Sequence, residues 1–272
     1  MRPALAWPVV LGIIIFLSGK AGAQAPINSN VALQPSRNGL ILRQQFRFAQ
    51  ASAPAPGDAD IAQLTSRTTL VYGATDAITL VLDSPTILYR QNNPLVGKAD
   101  TDAGLGDAVL ISKVRLFRND PGPNDTTRFD LIAGAELPTG QDAFSADSIN
   151  PIFGGVISHI QGRHAFNADV LWKFNTGSGT RGDDLLISDL AYSYRLAPET
   201  YASQSPTALF GSVELNGLSS TNGDQELFLS PGMQYVTIRY ILEATIQIPI
   251  WQDLDHRAER DFIIGLGFRI QF

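Results

Sequence analysis

The chain has 272 residues, of which 17% are charged, against about 25% in an average soluble domain; its formal charge is −6 and it holds no cysteine. These figures exclude disulfides, thiolate-held zinc and thiol catalysis. With no basic run and no patch of aromatic and arginine side chains, they also exclude nucleic acid as a partner.

The N-terminus opens on Met1 and Arg2, runs into the apolar stretch Val9–Leu17 ("VVLGIIIFL") and reaches Ala21-Gly22-Ala23 before Gln24. A positive start, a short apolar core and an A-x-A site form a secretory signal peptide covering 1–23. The apolar run is too short for the roughly 20 residues of a spanning helix. Export follows, with 24–38 expected as a periplasmic segment and 39–272 as the folded body.

From Leu40 the pattern is alternation in runs of about ten residues, the signature of strands. In "LILRQQFRF", Leu40, Leu42, Phe46 and Phe48 share one face and Arg43, Gln45 and Arg47 the other. Weaker runs follow at 68–72, 77–88 and 105–118. "RFDLIAGAEL" sets Phe129, Leu131, Ala133, Ala135 and Leu137 against Arg128, Asp130, Ile132, Gly134 and Glu136. After a run at 152–160, "HAFNADVLWKF" opposes Phe166, Ala168, Val170, Trp172 and Phe174 to Asn167, Asp169 and Lys173. Runs at 185–196, 209–216 and 227–235 lead to "LEATIQIPI", with Leu242, Ala244, Ile246, Ile248 and Ile250 opposite Glu243, Thr245, Gln247 and Pro249. The chain finishes on "DFIIGLGFRIQF", where Phe262, Ile264, Leu266, Phe268, Ile270 and Phe272 form one apolar face.

That makes twelve runs. Longer polar links are expected near 50–65, 92–104, 138–150, 175–183, 217–225 and 251–259, and mostly tighter turns between them. An even strand count with long connections at one end and short ones at the other is the plan of an outer-membrane barrel. In a soluble sandwich the polar face would meet water and the apolar face would be internal. Here one face of each clear run is kept free of charge, as lipid requires: an arginine facing lipid at mid-bilayer costs roughly 2–4 kcal/mol. Backbone groups in lipid must all be paired, which forces closure. The fold expected is an all-β, antiparallel, up-and-down transmembrane barrel of about twelve strands, monomeric, in the bacterial outer membrane. Its terminal Phe268, Ile270 and Phe272 fit an assembly signal read by the barrel-assembly machinery through strand addition.

Six segments in order, "GLGDAVLISKVRLF" (104–117), "GAELPTG" (134–140), "GDDLLISDLAYSYRL" (182–196), "ELNG" (214–217), "LSPGMQY" (229–235) and "IQIPI" (246–250), carry a family resemblance. Together they make the chain from about Leu40 to Phe272 similar to the outer-membrane family labelled as the MetA pathway of phenol degradation. The resemblance implies an outer-membrane barrel that takes up aromatic or other small organic compounds. The alanine- and proline-rich stretch at 51–63 departs from that family.

The candidate functional residues are the polar ones expected to line the lumen: Arg43, Arg47, Lys113, Arg115, Arg128, Asp130, Glu136, Asp169, Lys173, Glu214, Glu243 and Arg269. Twelve strands fall between the side-chain-filled barrels of eight and the open channels of sixteen, so a narrow or loop-gated pore is expected. Other clusters read more simply. Gly104–Asp107 and Gly177–Gly182 are turn glycines without the strand and helix of a phosphate loop. His159 and His164 lack a third ligand, and Asp183-Asp184 and Asp253/Asp255 read as solvated loop charge rather than a metal site. His256 beside Asp253 and Asp255 is the one arrangement that suits a barrel hydrolase, and no G-x-S-x-G elbow accompanies it. The function expected is diffusion of a small solute through the lumen, without enzyme activity, cofactor or metal. The alternative is a non-conducting structural or adhesive barrel.

Overall fold

The computed structural model describes residues 24–52, 59–94, 100–122, 125–141, 144–177, 183–200 and 207–272. The expected signal peptide and the glycine-rich tip at 178–182 lie outside these residues. Thirteen strands follow one another: β1 (Leu40–Ser52), β2 (Ala59–Gly73), β3 (Ile78–Pro94), β4 (Asp100–Leu105), β5 (Ala108–Asn119), β6 (Thr126–Leu137), β7 (Asn150–Gln161), β8 (His164–Lys173), β9 (Leu185–Ala197), β10 (Thr207–Ser220), β11 (Gln225–Thr237), β12 (Tyr240–Asp253) and β13 (Glu259–Gln271). Among the described residues there is no α-helix.

The strands pair antiparallel in chain order, except that β5 pairs with β3 rather than β4, and β1 closes the ring by pairing with β13. Strand β4 is short and sits beside the far part of β3, in line with β5 across Gly106-Asp107, so twelve strands form the closed wall. These twelve are the twelve alternating runs of the sequence. Closure leaves no free edge on the twelve-stranded wall, which removes the hazard such an edge carries, and only the short β4 is paired on one side.

Two boundaries differ from the sequence expectation. The links placed at 50–65 and 92–104 are largely strand: β1 continues to Ser52, β2 starts at Ala59, β3 runs to Pro94 and β4 begins at Asp100. Only 53–58 and 95–99, outside the described residues, separate them. With 15 and 17 residues, β2 and β3 exceed the 9–11 that a tilted strand needs to cross a bilayer. Their outer parts no longer separate lipid from lumen, so the alternation that betrays a strand fades there.

The start of β1 and the end of the chain meet at one end of the cylinder. The Phe272 N–H donates to the Leu40 carbonyl at 2.8 Å, and the Leu40 N–H donates back at 3.3 Å. We call this the near end; it also carries the connections at 74–77, 120–125, 162–163, 198–206 and 238–239. In the tightest of these, Gly162 takes a φ of 61°, a backbone setting that side chains disfavour. The far end carries 138–149, 174–184, 221–224 and 254–258.

Apolar and polar faces separate as the alternation requires. Leu266 is 58% exposed on the outside, while Glu214 is fully buried within. The inner surface is itself divided. Val81, Ile111, Ile132, Ile152, Val156 and Leu171, from β3 and β5–β8, form an apolar cluster on one side. The facing side, from β1 and β10–β13, presents Arg43, Gln45, Glu214, Gln234, Glu243 and Arg269.

Candidate functional site: the lumen and its inner strap

The segment expected to lie free of the wall, 24–38, enters the cylinder. Just before β1 the chain crosses the near end, where the Ser36 carbonyl lies against Gly73 so closely that a Cβ there would sit 2.2 Å from it. Working back from that point, Gln34 to Gln24 runs inside the barrel, with Gln24, Ala25, Ile27, Ala32 and Gln34 buried.

Wall side chains hold this strap one after another. Gln34 donates to Asp130 at 2.9 Å, and the Ala32 N–H donates to the Ser158 hydroxyl at 2.8 Å. Lys113 donates to the Val31 carbonyl at 3.1 Å. Asp169 accepts both the N–H and the side-chain amide of Asn30, each at 3.0 Å. Glu214 takes the largest share. Its carboxylate accepts the N–H groups of Ile27 (2.6 Å), Asn28 (3.0 Å) and Ser29 (3.0 Å), and the Ser29 hydroxyl at 2.6 Å. Beyond it, Arg43 donates to the Ile27 carbonyl, Arg269 to the Pro26 carbonyl at 2.8 Å and Gln234 to the Ala25 carbonyl at 3.0 Å. The contacts are many, and more of them go to main-chain atoms than to side chains, although Asn28, Ser29, Asn30 and Gln34 also bond through theirs.

The charges are arranged to serve this. Register places Arg43 directly opposite Arg269 across the β1–β13 seam. Two guanidiniums side by side would repel, and Glu243 on β12 joins them, 2.7 Å from each, while Gln45 donates to the same carboxylate at 2.9 Å. Arg47 donates to the side-chain oxygens of Asn28 and Gln247. Across the lumen Asp169 and Asp189 are register partners on β8 and β9, and Asp189 accepts from Asn216 at 3.0 Å. Each side of the interior thus carries charge complementary to a different part of the strap.

The remaining lumen candidates lie towards the two ends. Arg115 approaches Asp130 at 3.9 Å and donates to the Asp76 carbonyl. Arg128 pairs with Asp120 at 3.2 Å near the near-end turn. There burial alone would raise the Asp120 carboxyl, but Thr126, Arg118 and Arg128 hold it down at about 2. Lys173 meets Glu136 at 3.1 Å towards the far end, and Asn150 donates to the same carboxylate. Beside Glu136 opens a cavity of about 380 Å³ lined by Gln63, Pro85, Ile87, Asp107, Phe144 and Ala146. Asp107 fixes its rim by accepting the N–H groups of Gly140 and Ala146 at 2.8 and 2.6 Å.

The other sequence candidates do not converge on this site. His159 bonds the Thr127 hydroxyl and His164 the Tyr192 hydroxyl. His256 bonds Asp224, a residue the sequence reading passed over, and Asp255 reaches the same carboxylate through its N–H. Phe268 and Ile270 pair with Gln44 and Leu42 on β1, and Phe272 projects outward, 63% exposed. The functional part the sequence did not reveal is the strap itself. It has no periodicity, and its run of Asn28, Ser29 and Asn30 is the only hint of a polar binding segment.

Comparison with solved structures places this architecture. The chain is similar to the COG4313 outer membrane channel from Pseudomonas putida F1, with a TM-score of 0.63 at 13% identity, covering 91% of this chain and all of that one. A weaker likeness to the NanC porin has a TM-score of 0.48 at 12% identity, covering 85% of this chain and 98% of the porin. At these identities the likeness is one of fold, that of outer-membrane β-barrels. No family model matches the sequence. No curated protein matches it either. The resemblance to the phenol-degradation family therefore rests on its six segments alone.

Proposed function

We propose that this protein is a channel of the bacterial outer membrane that passes small organic solutes into the periplasm, with the strap as its closure. Its near end, where β1 starts and the chain ends, faces the periplasm, and its far end faces outward. The observation that carries the proposal is the interior: a polar, charge-bearing wall enclosed by a lipid-facing cylinder and filled by a segment tied only by hydrogen bonds and contacts. A filling with a covalent anchor at one end can leave without unfolding the wall. The divided lumen supports an organic solute rather than an ion alone. Its apolar side suits a hydrocarbon or aromatic part, and its polar side suits the groups that orient it.

Reconstitution in planar bilayers tests this. The intact chain is expected to conduct weakly or intermittently, and a variant lacking residues 24–34 to conduct steadily and several times more. A deletion variant that folds, judged by its heat-dependent gel mobility, yet never conducts would sink the channel. It would favour the second reading, a structural barrel, for which the filled lumen is itself an argument.

A further inference from the structure

The strap occupies a site, and the atoms it uses there define what else could occupy it. Five of its N–H groups, those of Ile27, Asn28, Ser29, Asn30 and Ala32, donate to wall side chains. Four of its carbonyls, those of Ala25, Pro26, Ile27 and Val31, accept from Gln234, Arg269, Arg43 and Lys113. The larger share of the recognition is thus of the peptide unit, with the Asn28, Ser29, Asn30 and Gln34 side chains adding bonds of their own. It resembles strand addition, where main-chain bonds give affinity and side-chain pockets give preference. A pocket of that kind is present: Ala32 packs into the apolar cluster of Ile111, Ile132, Ile152 and Val156.

From these contacts we propose that the lumen is a binding site for short extended peptides, and that the strap is a tethered occupant holding their place. This deepens the channel reading and rests on it. A wall that only had to be plugged could have packed the strap through apolar side chains. Instead it commits two carboxylates, two guanidiniums and an ammonium to main-chain atoms. A free peptide would engage the same groups and bring two charges the strap lacks there. Its terminal ammonium suits the side bearing Glu214, Asp169 and Asp189, and its carboxylate suits Arg47, which the strap meets only through the Asn28 side chain. Asn28 and Ala32 lie four positions apart, a span of at most about 14 Å when extended. The charged and apolar parts of the site are therefore within reach of one pentapeptide, and a shorter peptide covers part of that line. A monosaccharide is too short to supply donors and acceptors along such a line, and a plain aromatic has neither. Buried polar groups left unpaired make a site reject ligands that lack the matching group.

Tethering gives the strap a millimolar-range effective concentration, so a free peptide competes poorly with it. The test therefore uses the chain lacking 24–34 in planar bilayers, with tri-alanine and glucose as probes. Tri-alanine is expected to interrupt the current at concentrations about tenfold below glucose. Glu214→Gln in the same background should weaken the tri-alanine effect about fivefold and leave that of glucose unchanged. Equal interruption by both probes, or an unaltered response in Glu214→Gln, overturns the peptide site while leaving a channel. Absence of any current overturns both readings together. The full-length chain supplies a second measurement, because it has no native cysteine. In a Val31→Cys variant, saturating tri-alanine should speed modification by a thiol reagent as it displaces the strap, and glucose should not. An identical rate with both probes overturns the proposal.

Discussion

Glu214 accepts the Ile27 N–H at 2.6 Å, across 187 positions of sequence. With the Asn28 and Ser29 groups on the same carboxylate, this residue is the strap's main fastening. Glu214→Ala should release the strap, since it strands those amides without partners at about 1–3 kcal/mol for the lost fastening. Proteolysis of the strap in detergent-solubilised protein should accelerate, with the barrel core staying resistant. Unchanged proteolysis would show that the other contacts suffice.

Gly232 makes the same point from packing. A Cβ there would lie 2.5 Å from Ile27 Cδ1 and 2.9 Å from the Ser212 hydroxyl. Gly232→Leu therefore excludes Ile27 from its seat, and single-channel recordings should show longer open intervals than the parent chain. Ile27→Ala should not reproduce this, because it leaves the main-chain bonds in place.

Removing the charge between Arg43 and Arg269 should be costly. Glu243→Gln leaves two facing guanidiniums without their shared carboxylate. Breaking a buried pair this way costs about 3–5 kcal/mol. The midpoint of urea unfolding in lipid vesicles should fall clearly. A midpoint within error of the parent would mean that water already screens the trio.

The loop at 254–258 offers a test outside the membrane-spanning wall. Burial pushes the Asp224 carboxyl up, but the Asp255 N–H, His256 and Arg257 outweigh it and bring it down to about 2. Its folded value lies below the usual carboxylate value near 3.9. The stability it contributes is thus complete above about pH 5 and is lost as the pH falls through about 2. Protection factors of 253–258, corrected for the intrinsic pH dependence of amide exchange, should be flat from pH 8 down to about 5, and Asp224→Ala should lower them throughout. A loss of protection beginning well above pH 5 would overturn this assignment.

The lipid-facing assignment is open to a direct check at Ile246, on β12 opposite Ile264. Ile246→Arg should cost roughly 2–4 kcal/mol if it lies near the bilayer midplane. Gln247→Arg, one position on and facing inward, should cost far less. Equal costs would remove the inside–outside distinction.

These variants also show where sequence reading reaches its limit. Phe46, Leu266 and Ile246 were legible as outward residues because lipid excludes charge from every second position. Arg43, Glu243 and Arg269 were legible as inward for the same reason, although nothing in their spacing announced that they meet. The outer parts of β2 and β3 read as loops because water on both sides imposes no alternation. The strap was hidden most completely. Most of its bonds join residues 79 to 243 positions apart in sequence, and a segment held largely by its main chain carries few distinctive side chains.

The position of the strap, directly ahead of the first strand, bears on how the molecule is made. Strand β1 meets β13, the last to be synthesised, and that seam is where the ring shuts. A segment continuous with β1 is already beside the unfinished wall while the seam is open, so it can be wrapped during construction instead of threaded afterwards. Glu214, Asp169 and Lys113 would then meet their partners before the ring is sealed, and the first occupant of the pore serves as the mould on which its interior sets.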